Sequence, residues 1–277
     1  MELWFFLWYK RYEVLHMKQK KNKKRWIYNI AILFFLGVMI FSLWNLIPLL
    51  IQDHRDNETQ KEMVQMVEKK QEDDKTVALE PDWKKLQESN PDIIGWIYVP
   101  DTVINYPIVQ SKDNSYYLNH SSLKDVNTIG AIFLDFNASS DLSDFHSIIY
   151  GHSVINSSAM FSQIKEFCDE DFFKEHPYLY LLTPEQNYRC DIVALTKTTS
   201  ESFLYQIGFS GAEDQEAFLE RMMSEASLSR ETDDLSADDS IVTLSTCDIA
   251  YGLDSDKRIL RHARLVPWDE TILYEES

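Results

Sequence analysis

Short stretches of alternating apolar and polar residues fill most of the chain after residue 90, a pattern typical of β-strands. Turn-forming residues separate these stretches. The predicted strands are 93–99, 104–109, 131–134, 147–150, 178–182, 188–195, 240–245 and 258–266. Helical periodicity is limited to a turn that ends at Asn90-Pro91 and to 159–167, 169–175 and 212–226. So many strands with so little helix predict a mainly β domain, a closed barrel or a sandwich.

The N-terminal part has a different pattern. Residues 26–51 contain no charged side chain, and about 20 apolar residues are enough to span a bilayer. Lysines crowd the N-terminal side of this stretch, which predicts a transmembrane anchor with residues 1–25 in the cytoplasm and the rest outside. A cleaved signal peptide is the alternative, but the stretch is longer than a usual signal and no Ala-x-Ala site follows. Met17 is an alternative start, so the sequence leaves open whether residues 1–16 are translated.

Charge and composition separate the chain after the apolar stretch into two parts. Residues 52–80 are polar with few aromatics, which predicts a stalk, and the folded domain is predicted over 81–277. The net charge is −18; residues 1–25 hold eight Lys or Arg against two Glu, a net of +6 that leaves −24 for the rest. An acidic body repels phosphate backbones, which excludes nucleic acid as a partner. The acidic pairs near residue 235 lack regular ligand spacing, so neither a metal nor a cofactor is expected.

The three cysteines are an odd number in a chain whose body is expected to face an oxidising side, so at least one stays free or pairs with another molecule. Cys190 shares a strand face with Ile192 and Ala194, and Cys168 follows a short helical pattern, so both are interpreted as structural. Cys247 ends the strand-like run that begins at 240. A thiol at a strand end is held by the sheet and open to solvent, although free cysteines serve packing more often than catalysis.

A catalytic cysteine needs a nearby base or cation, because the thiolate is the nucleophile. His152 follows the strand 147–150, but seven histidines are present and only position favours this one. The basic strand 258–266 supplies arginines, with Arg258 and Arg261 on opposite faces. Either guanidinium could stabilise an oxyanion.

Six ordered segments give the chain a resemblance to the class B sortases of Gram-positive bacteria over about residues 81–268. They are Asn-Pro-Asp-Ile-Ile-Gly-Trp-Ile at 90–97, Tyr-Pro-Ile-Val-Gln at 106–110, Asp-Asn-Ser-Tyr-Tyr-Leu at 113–118, Ile-Phe-Leu-Asp at 132–135, Tyr-Gly-His at 150–152 with Met-Phe at 160–161, and Leu-Ser-Thr-Cys at 244–247. The N-terminal anchor and the helical insertion before the cysteine strand are also similar to that class.

The resemblance implies a sortase-type closed β-barrel with peripheral helices and a catalytic set of Cys247, His152 and Arg258. Arg258 is preferred because the family's last strand begins with its arginine. Arg261 stays the alternative if the strand starts later, although His262 would then lie on the wrong face. The residues that match the family's substrate groove are Asn114, Leu118, Tyr150, Ser245 and Asp248.

The implied reaction is cysteine transpeptidation. Cys247 would cleave a C-terminal sorting signal of a secreted protein and pass the thioacyl intermediate to an amine. The expected partners are surface proteins that bear the signal, the membrane, and an amine of either a peptidoglycan precursor or a pilin. A cysteine hydrolase of the same signal stays open, as does a surface-anchored binding module with a structural cysteine. The sequence indicates neither the signal's residues nor the oligomeric state.

Overall fold

The computed structural model describes residues 2–70, 76–155, 157–232, 234–252 and 255–275. The chain divides into two compact units, 1–57 and 58–277. Helix α1 (Glu2–Gln65) contains the stretch Trp26–Trp44, which is the one helix among the described residues long and apolar enough to cross a membrane. Its apolar side chains are exposed, as expected of a segment whose partners would be lipids.

Within its described residues, the second unit contains twelve strands and three further α-helices. The strands are β1 (Glu68–Lys70), β2 (Thr76–Leu79), β3 (Ile93–Tyr98), β4 (Asn105–Val109), β5 (Ile132–Leu134), β6 (His146–Tyr150), β7 (Tyr178–Leu182), β8 (Tyr188–Thr199), β9 (Leu228–Ser229), β10 (Ile241–Cys247), β11 (Lys257–Pro267) and β12 (Ile272–Glu275). The helices are α2 (Trp83–Ser89), α3 (Glu170–Glu175) and α4 (Ala212–Ser224), with 3-10 turns at Tyr116–Leu118, Ser162–Cys168, Phe203–Tyr205 and Ile249–Tyr251.

Eight of these strands form a closed barrel. Their order is β11-β10-β6-β5-β4-β3-β7-β8, and pairing of β8 with β11 closes the ring. Most neighbours are antiparallel, but β10 runs parallel to β6, and β4 runs parallel to β5. Every strand predicted from the alternating pattern lies in this barrel. The predicted closed β-barrel with peripheral helices is therefore confirmed, and the sandwich is excluded.

A second, smaller sheet uses residues that the charge pattern had assigned to a stalk. Strand β2 pairs with β1 on one side and with β12 on the other. Val77, Ala78 and Leu79 are buried there, as is Ile272 of β12. The partner strand lies almost 200 residues later in the chain, so no local pattern could have shown this pairing. The compact unit consequently begins at 58, before the predicted boundary at 81.

Helix α4 packs on the outer face of the barrel near β10 and β11. Phe218, Leu219 and Met222 are buried in one cluster with Ile241 of β10 and Leu260 of β11. The apolar stripe of this helix is thus a core contact. Residues on both faces of β10 are buried from Ile241 to Thr246.

Arg261 lies inside the barrel. Its side chain is fully buried, and its guanidinium carbon lies 4.0 Å from the ring centroid of Phe167. Within the described part of the chain, none of its three side-chain nitrogens meets a hydrogen-bond partner. Burial lowers the pKa of this guanidinium to about 9. Arg261 therefore belongs to the core and lies on the opposite face of β11 from Arg258.

Candidate active site

Three strand ends meet at one end of the barrel. Tyr150 of β6 is in register with Ser245 of the parallel strand β10. Beyond that pair, the Gly151 amide donates to the Ser245 carbonyl at 3.1 Å, and the Thr246 hydroxyl donates to the Gly151 carbonyl at 2.7 Å. These bonds continue the parallel register, so His152 follows β6 beside the end of β10, which is Cys247.

The third strand adds the cation. Cys247 is the antiparallel partner of Arg258 at the start of β11. Directly opposed residues on neighbouring antiparallel strands project from the same face, with Cβ atoms about 4.5–5.5 Å apart. The register that the sequence left open is therefore fixed by strand pairing. This register places Arg258 beside Cys247 and Arg261 inside the barrel.

The strand ends line a cleft of about 380 Å³. Its walls are formed by Asn114, Leu118, Phe133, Tyr150, Gly151, His152, Ser200, Tyr205, Ser245, Thr246, Cys247 and Arg258. Seven of the eight site residues predicted from the sequence are in this set. The lining contains a thiol, an imidazole and a guanidinium but no carboxylate, so Arg258 is the only formally charged group among the described residues on its walls.

A backbone carbonyl determines the tautomer of His152. Its Nε2 lies 2.9 Å from the Leu118 carbonyl oxygen, and since a carbonyl can only accept, Nε2 carries the hydrogen. Among the described residues nothing bonds to the other ring nitrogen, Nδ1, so Nδ1 can exchange a proton. Gly130 makes this contact sterically feasible: its φ is +69°, and a Cβ there would lie 2.8 Å from the Leu118 oxygen and 3.0 Å from Cδ2 of His152.

The guanidinium of Arg258 is anchored at one end only. Its Nη1 donates to the carbonyls of Ser255 and Lys257, both at 2.9 Å. Its Nε and Nη2 donate to no residue in the described ranges. Arg258 can therefore keep its position while it presents N–H donors to a ligand in the cleft.

Cys247 differs from the other two cysteines in its surroundings. All three are unpaired. Burial raises the pKa of the Cys190 thiol and also that of Cys168, where the nearby Lys197 opposes the effect only in part. Cys247 is partly exposed in the cleft, and the environment of the other two disfavours a thiolate. The structural interpretation of Cys168 and Cys190 agrees with this burial.

Asp248 is the one predicted substrate residue that the structure does not place on the cleft wall. Its side chain is nearly buried and accepts a hydrogen bond from the Ala250 amide at 3.2 Å, as the cap of the 3-10 turn Ile249–Tyr251. Alternation explains this position, since neighbouring residues at a strand end project to opposite faces. The predicted contact between Asp248 and substrate has no support in this geometry.

The sequence reasoning missed other residues of the cleft, chiefly Tyr205 and Ser200. The Tyr205 hydroxyl lies 2.7 Å from the Ser245 hydroxyl, and its ring stacks parallel to that of Tyr150 with 6.2 Å between centroids. Both residues come from the connection that follows β8, about 40 residues before the cysteine. The segment has no periodicity or motif that could have identified them.

Two other histidines lie on the strands that form the site but are sealed from it. His146 Nε2 lies 2.7 Å from the Thr243 hydroxyl oxygen, and that oxygen lies 2.8 Å from Nδ1 of His262. His146 Nδ1 contacts the Gln206 carbonyl at 2.8 Å, so it carries a hydrogen. Burial lowers the pKa of His146 to about 4 and that of His262 to about 3. These neutral rings are structural, which leaves His152 as the histidine of the cleft.

Acid should destabilise the domain through these two rings. Their folded pKa values lie below the ordinary value of about 6.5, so the unfolded state binds more protons than the folded state as the pH falls from 6.5 toward 4. Their stabilisation is thus complete above pH 6.5 and is lost on acidification. The expected slope is up to about 1.4 kcal/mol per pH unit for each ring.

Urea unfolding of the 58–277 fragment between pH 7 and 4 measures this slope. His262→Asn keeps a donor toward Thr243 and removes one titrating ring, so its free energy of unfolding should fall less steeply with acid. Identical slopes in the two proteins would contradict the assignment of His262 as a buried neutral ring.

A closed barrel with a thiol, an imidazole and a guanidinium in one cleft has the groups needed for acyl transfer through a thioester. The family model described as "Sortase domain" matches residues 97–266. Sortase B of Listeria monocytogenes is 31% identical over 228 residues, which cover 82% of this chain and 92% of that protein.

Solved structures give the same result. A crystal structure of a Bacillus anthracis protein described as similar to sortase B matches with a TM-score of 0.67 and 31% identity, covering 78% of this chain and 98% of that one. A crystal structure of sortase B in complex with triglycine matches with a TM-score of 0.63 and 28% identity, covering 68% of this chain and 86% of that one. The chain belongs to the sortase family and, with these relatives, to its class B, the members of which are cysteine transpeptidases.

Proposed function

We propose that Cys247, His152 and Arg258 together carry out the transpeptidation. The observation that carries this proposal is the cross-strand pairing of Cys247 with Arg258, next to a His152 whose Nε2 is engaged and whose Nδ1 is available. The Cys247 thiol passes its proton to Nδ1 of His152, and the resulting thiolate attacks a peptide carbonyl of the sorting signal. Free N–H groups of Arg258 donate to the carbonyl oxygen as negative charge builds on it.

Collapse of the tetrahedral adduct breaks the C–N bond and leaves a thioester on Cys247. His152 gives its Nδ1 proton to the departing amine, which leaves with the C-terminal part of the signal. An incoming amine then attacks the thioester and passes a proton to Nδ1. The C–S bond breaks, the acyl group stays on the amine as a new amide, and the thiolate and imidazolium are restored.

Sortases act on sorting signals and amine nucleophiles, and we propose specific partners for this chain. The donors are surface proteins with a C-terminal sorting signal, and the acceptor is an amine of a peptidoglycan precursor. The complex of a solved sortase B with triglycine supports a small amine as acceptor. A pilin lysine is the alternative acceptor.

The same proposal covers the location of the enzyme. The helix that contains Trp26–Trp44 fits a single-pass anchor. Lysines on its N-terminal side support a cytoplasmic N-terminus in the cell membrane and an extracellular catalytic domain.

Product analysis tests transfer against hydrolysis. Mass spectrometry of the acyl group trapped on Cys247 in cells gives the donor sequence, and a peptide of that sequence is then incubated with the enzyme and triglycine. We expect amide product to replace free acid as the triglycine concentration rises. Free acid alone at saturating triglycine would instead make the protein a hydrolase of the same signal.

A further inference from the structure

A buried carboxylate lies behind one wall of the cleft. Asp135 follows β5 and is only 4% exposed, and its two oxygens accept four hydrogen bonds. An ionised carboxylate can only accept, so four donors satisfy it without a counter-ion. The catalytic and groove residues implied by the family resemblance do not include Asp135.

The two oxygens of Asp135 serve different parts of the structure. Oδ2 accepts from the side-chain amide of Asn114 at 2.7 Å and from the hydroxyl of Tyr150 at 2.9 Å, and both of these residues line the cleft. Oδ1 accepts from the backbone amide of Asn137 at 2.9 Å and from its side-chain amide at 3.1 Å. One oxygen thus faces the cleft wall and the other faces an exposed loop.

The backbone of Asp135 is fixed on both sides, so its carboxylate is a rigid reference point. Its amide donates to the Ile148 carbonyl on β6 at 2.9 Å, and its carbonyl accepts from the Gln110 side chain, also at 2.9 Å. The Ile148 contact lies on the same strand as Tyr150. Asp135 therefore connects the strand that leads to His152 with the loop that carries Asn114.

The partners of Asp135 have few other restraints in the cleft. Asn114 is held otherwise by the Phe136 amide, which donates to its Oδ1 at 3.0 Å. The ring of Tyr150 packs between Phe133 and Tyr205, and these contacts hold the ring but supply no acceptor for its hydroxyl. Burial, and next the charge of Asp135, raise the pKa of Tyr150, so the phenol stays a donor at neutral pH.

We propose that Asp135 is a positioning residue that sets the cleft wall for the acyl-donor peptide by holding Asn114 and Tyr150. The inference rests on the proposed function, because it assumes that the donor peptide occupies this cleft. Asp135 acts through the two side chains and not on the reacting atoms. Its role therefore belongs to binding of the donor and not to the chemical steps at Cys247.

An asparagine at position 135 cannot reproduce the arrangement. Its NH2 group would face donors on either side, since both carboxylate oxygens accept from N–H groups. If it faced Asn114, that side chain would have to flip and lose its bond from the Phe136 amide. If it faced Asn137, it would oppose a backbone amide that cannot turn away.

The test compares steady-state kinetics of full-length enzyme in detergent, with the donor peptide found on Cys247 and with triglycine. Asp135→Asn should raise KM for the donor peptide about tenfold, the range of a lost bond to a charged group, with kcat and the KM for triglycine within about twofold of wild type. A purely structural role would instead lower the melting temperature and the fraction of active enzyme and leave the donor KM unchanged, which would overturn the proposal.

Two further variants make the test specific. Asn137→Ala removes a donor from Oδ1 and leaves the Oδ2 pair intact, so its donor KM should equal that of wild type. Asn114→Ala combined with Tyr150→Phe should raise the donor KM on its own, and adding Asp135→Asn should raise it no further. Additive increases would show that Asp135 acts by another route, and a normal KM in the double variant would overturn the proposal even if Asp135→Asn fails to fold.

The result with wild-type enzyme distinguishes failure of the proposed transpeptidation from failure of the proposed role of Asp135. If wild type forms no amide from the donor peptide and triglycine, the proposed transpeptidation fails. If wild type forms amide and Asp135→Asn has the wild-type donor KM, only the role of Asp135 fails.

Discussion

Cys247→Ala is expected to abolish both amide formation and the covalent acyl adduct. The reaction requires a thiolate in the cleft, and the other two thiols are held away from it in environments that raise their pKa. A methyl group cannot form the thioester, so no alternative route through this cleft is expected. Amide product is measured by chromatography with triglycine as acceptor, and the adduct is measured by intact-protein mass spectrometry.

Cys168→Ala is the matched control for this experiment. Cys168 is half-buried against the barrel core, so its replacement should leave the adduct and the turnover intact. A charged methanethiosulfonate reagent should label wild type at Cys247 and leave Cys247→Ala unlabelled. Turnover that survives in Cys247→Ala would remove the basis of the proposed mechanism.

Arg258→Ala should lower kcat by about 10²–10³-fold, the usual effect of removing one oxyanion donor. In the proposed mechanism Arg258 donates to charge that develops in the transition state, so the loss should appear mainly in kcat and less in the donor KM. Arg258→Lys keeps the charge but not the planar fork of donors, so it should restore only part of the rate. Single-turnover formation of the acyl adduct measures the step directly.

Arg261→Met is the control, only three residues away on the same strand. It replaces a fully buried guanidinium that lacks a hydrogen-bond partner in the described part of the chain. Replacing a buried charge by an apolar side chain of similar length is often neutral or stabilising, by about 1–4 kcal/mol. We expect a normal kcat and an equal or higher melting temperature. The reverse result, with activity lost in Arg261→Met and kept in Arg258→Ala, would contradict the oxyanion role of Arg258.

Local patterns in the sequence were enough to predict the barrel strands. Alternation is a property of neighbouring residues, and a strand with one face toward the core must show it wherever the partner strand lies. The sheet of β1, β2 and β12 was not predicted, because its pairing depends on residues far apart in the chain. Its strands are short, and β2, which carries the buried Val77 and Leu79, pairs with a strand from the far end of the chain.

The candidate site likewise combines residues that local sequence patterns could identify with residues that they could not. The residue types at Cys247 and His152, each following a strand, were visible in the sequence, and the family resemblance singled them out. Tyr205 was not visible, because it enters the cleft from a connection without a motif. The clustered contacts of Asp135 were also hidden, since they depend on four donors from three segments of the chain.

By itself, the sequence determined the strand-rich fold, the apolar N-terminal helix and the candidate catalytic residues. Strand pairing decided the rest. Arg258 and Arg261 are the same type of residue and lie on opposite faces of β11. The register of β11 against β10 places Arg258 opposite Cys247. Asp248 follows the cysteine directly, and yet its side chain caps a turn away from the cleft wall. A register is a relation between distant segments, so no stretch of sequence contains it until the chain has closed into the barrel.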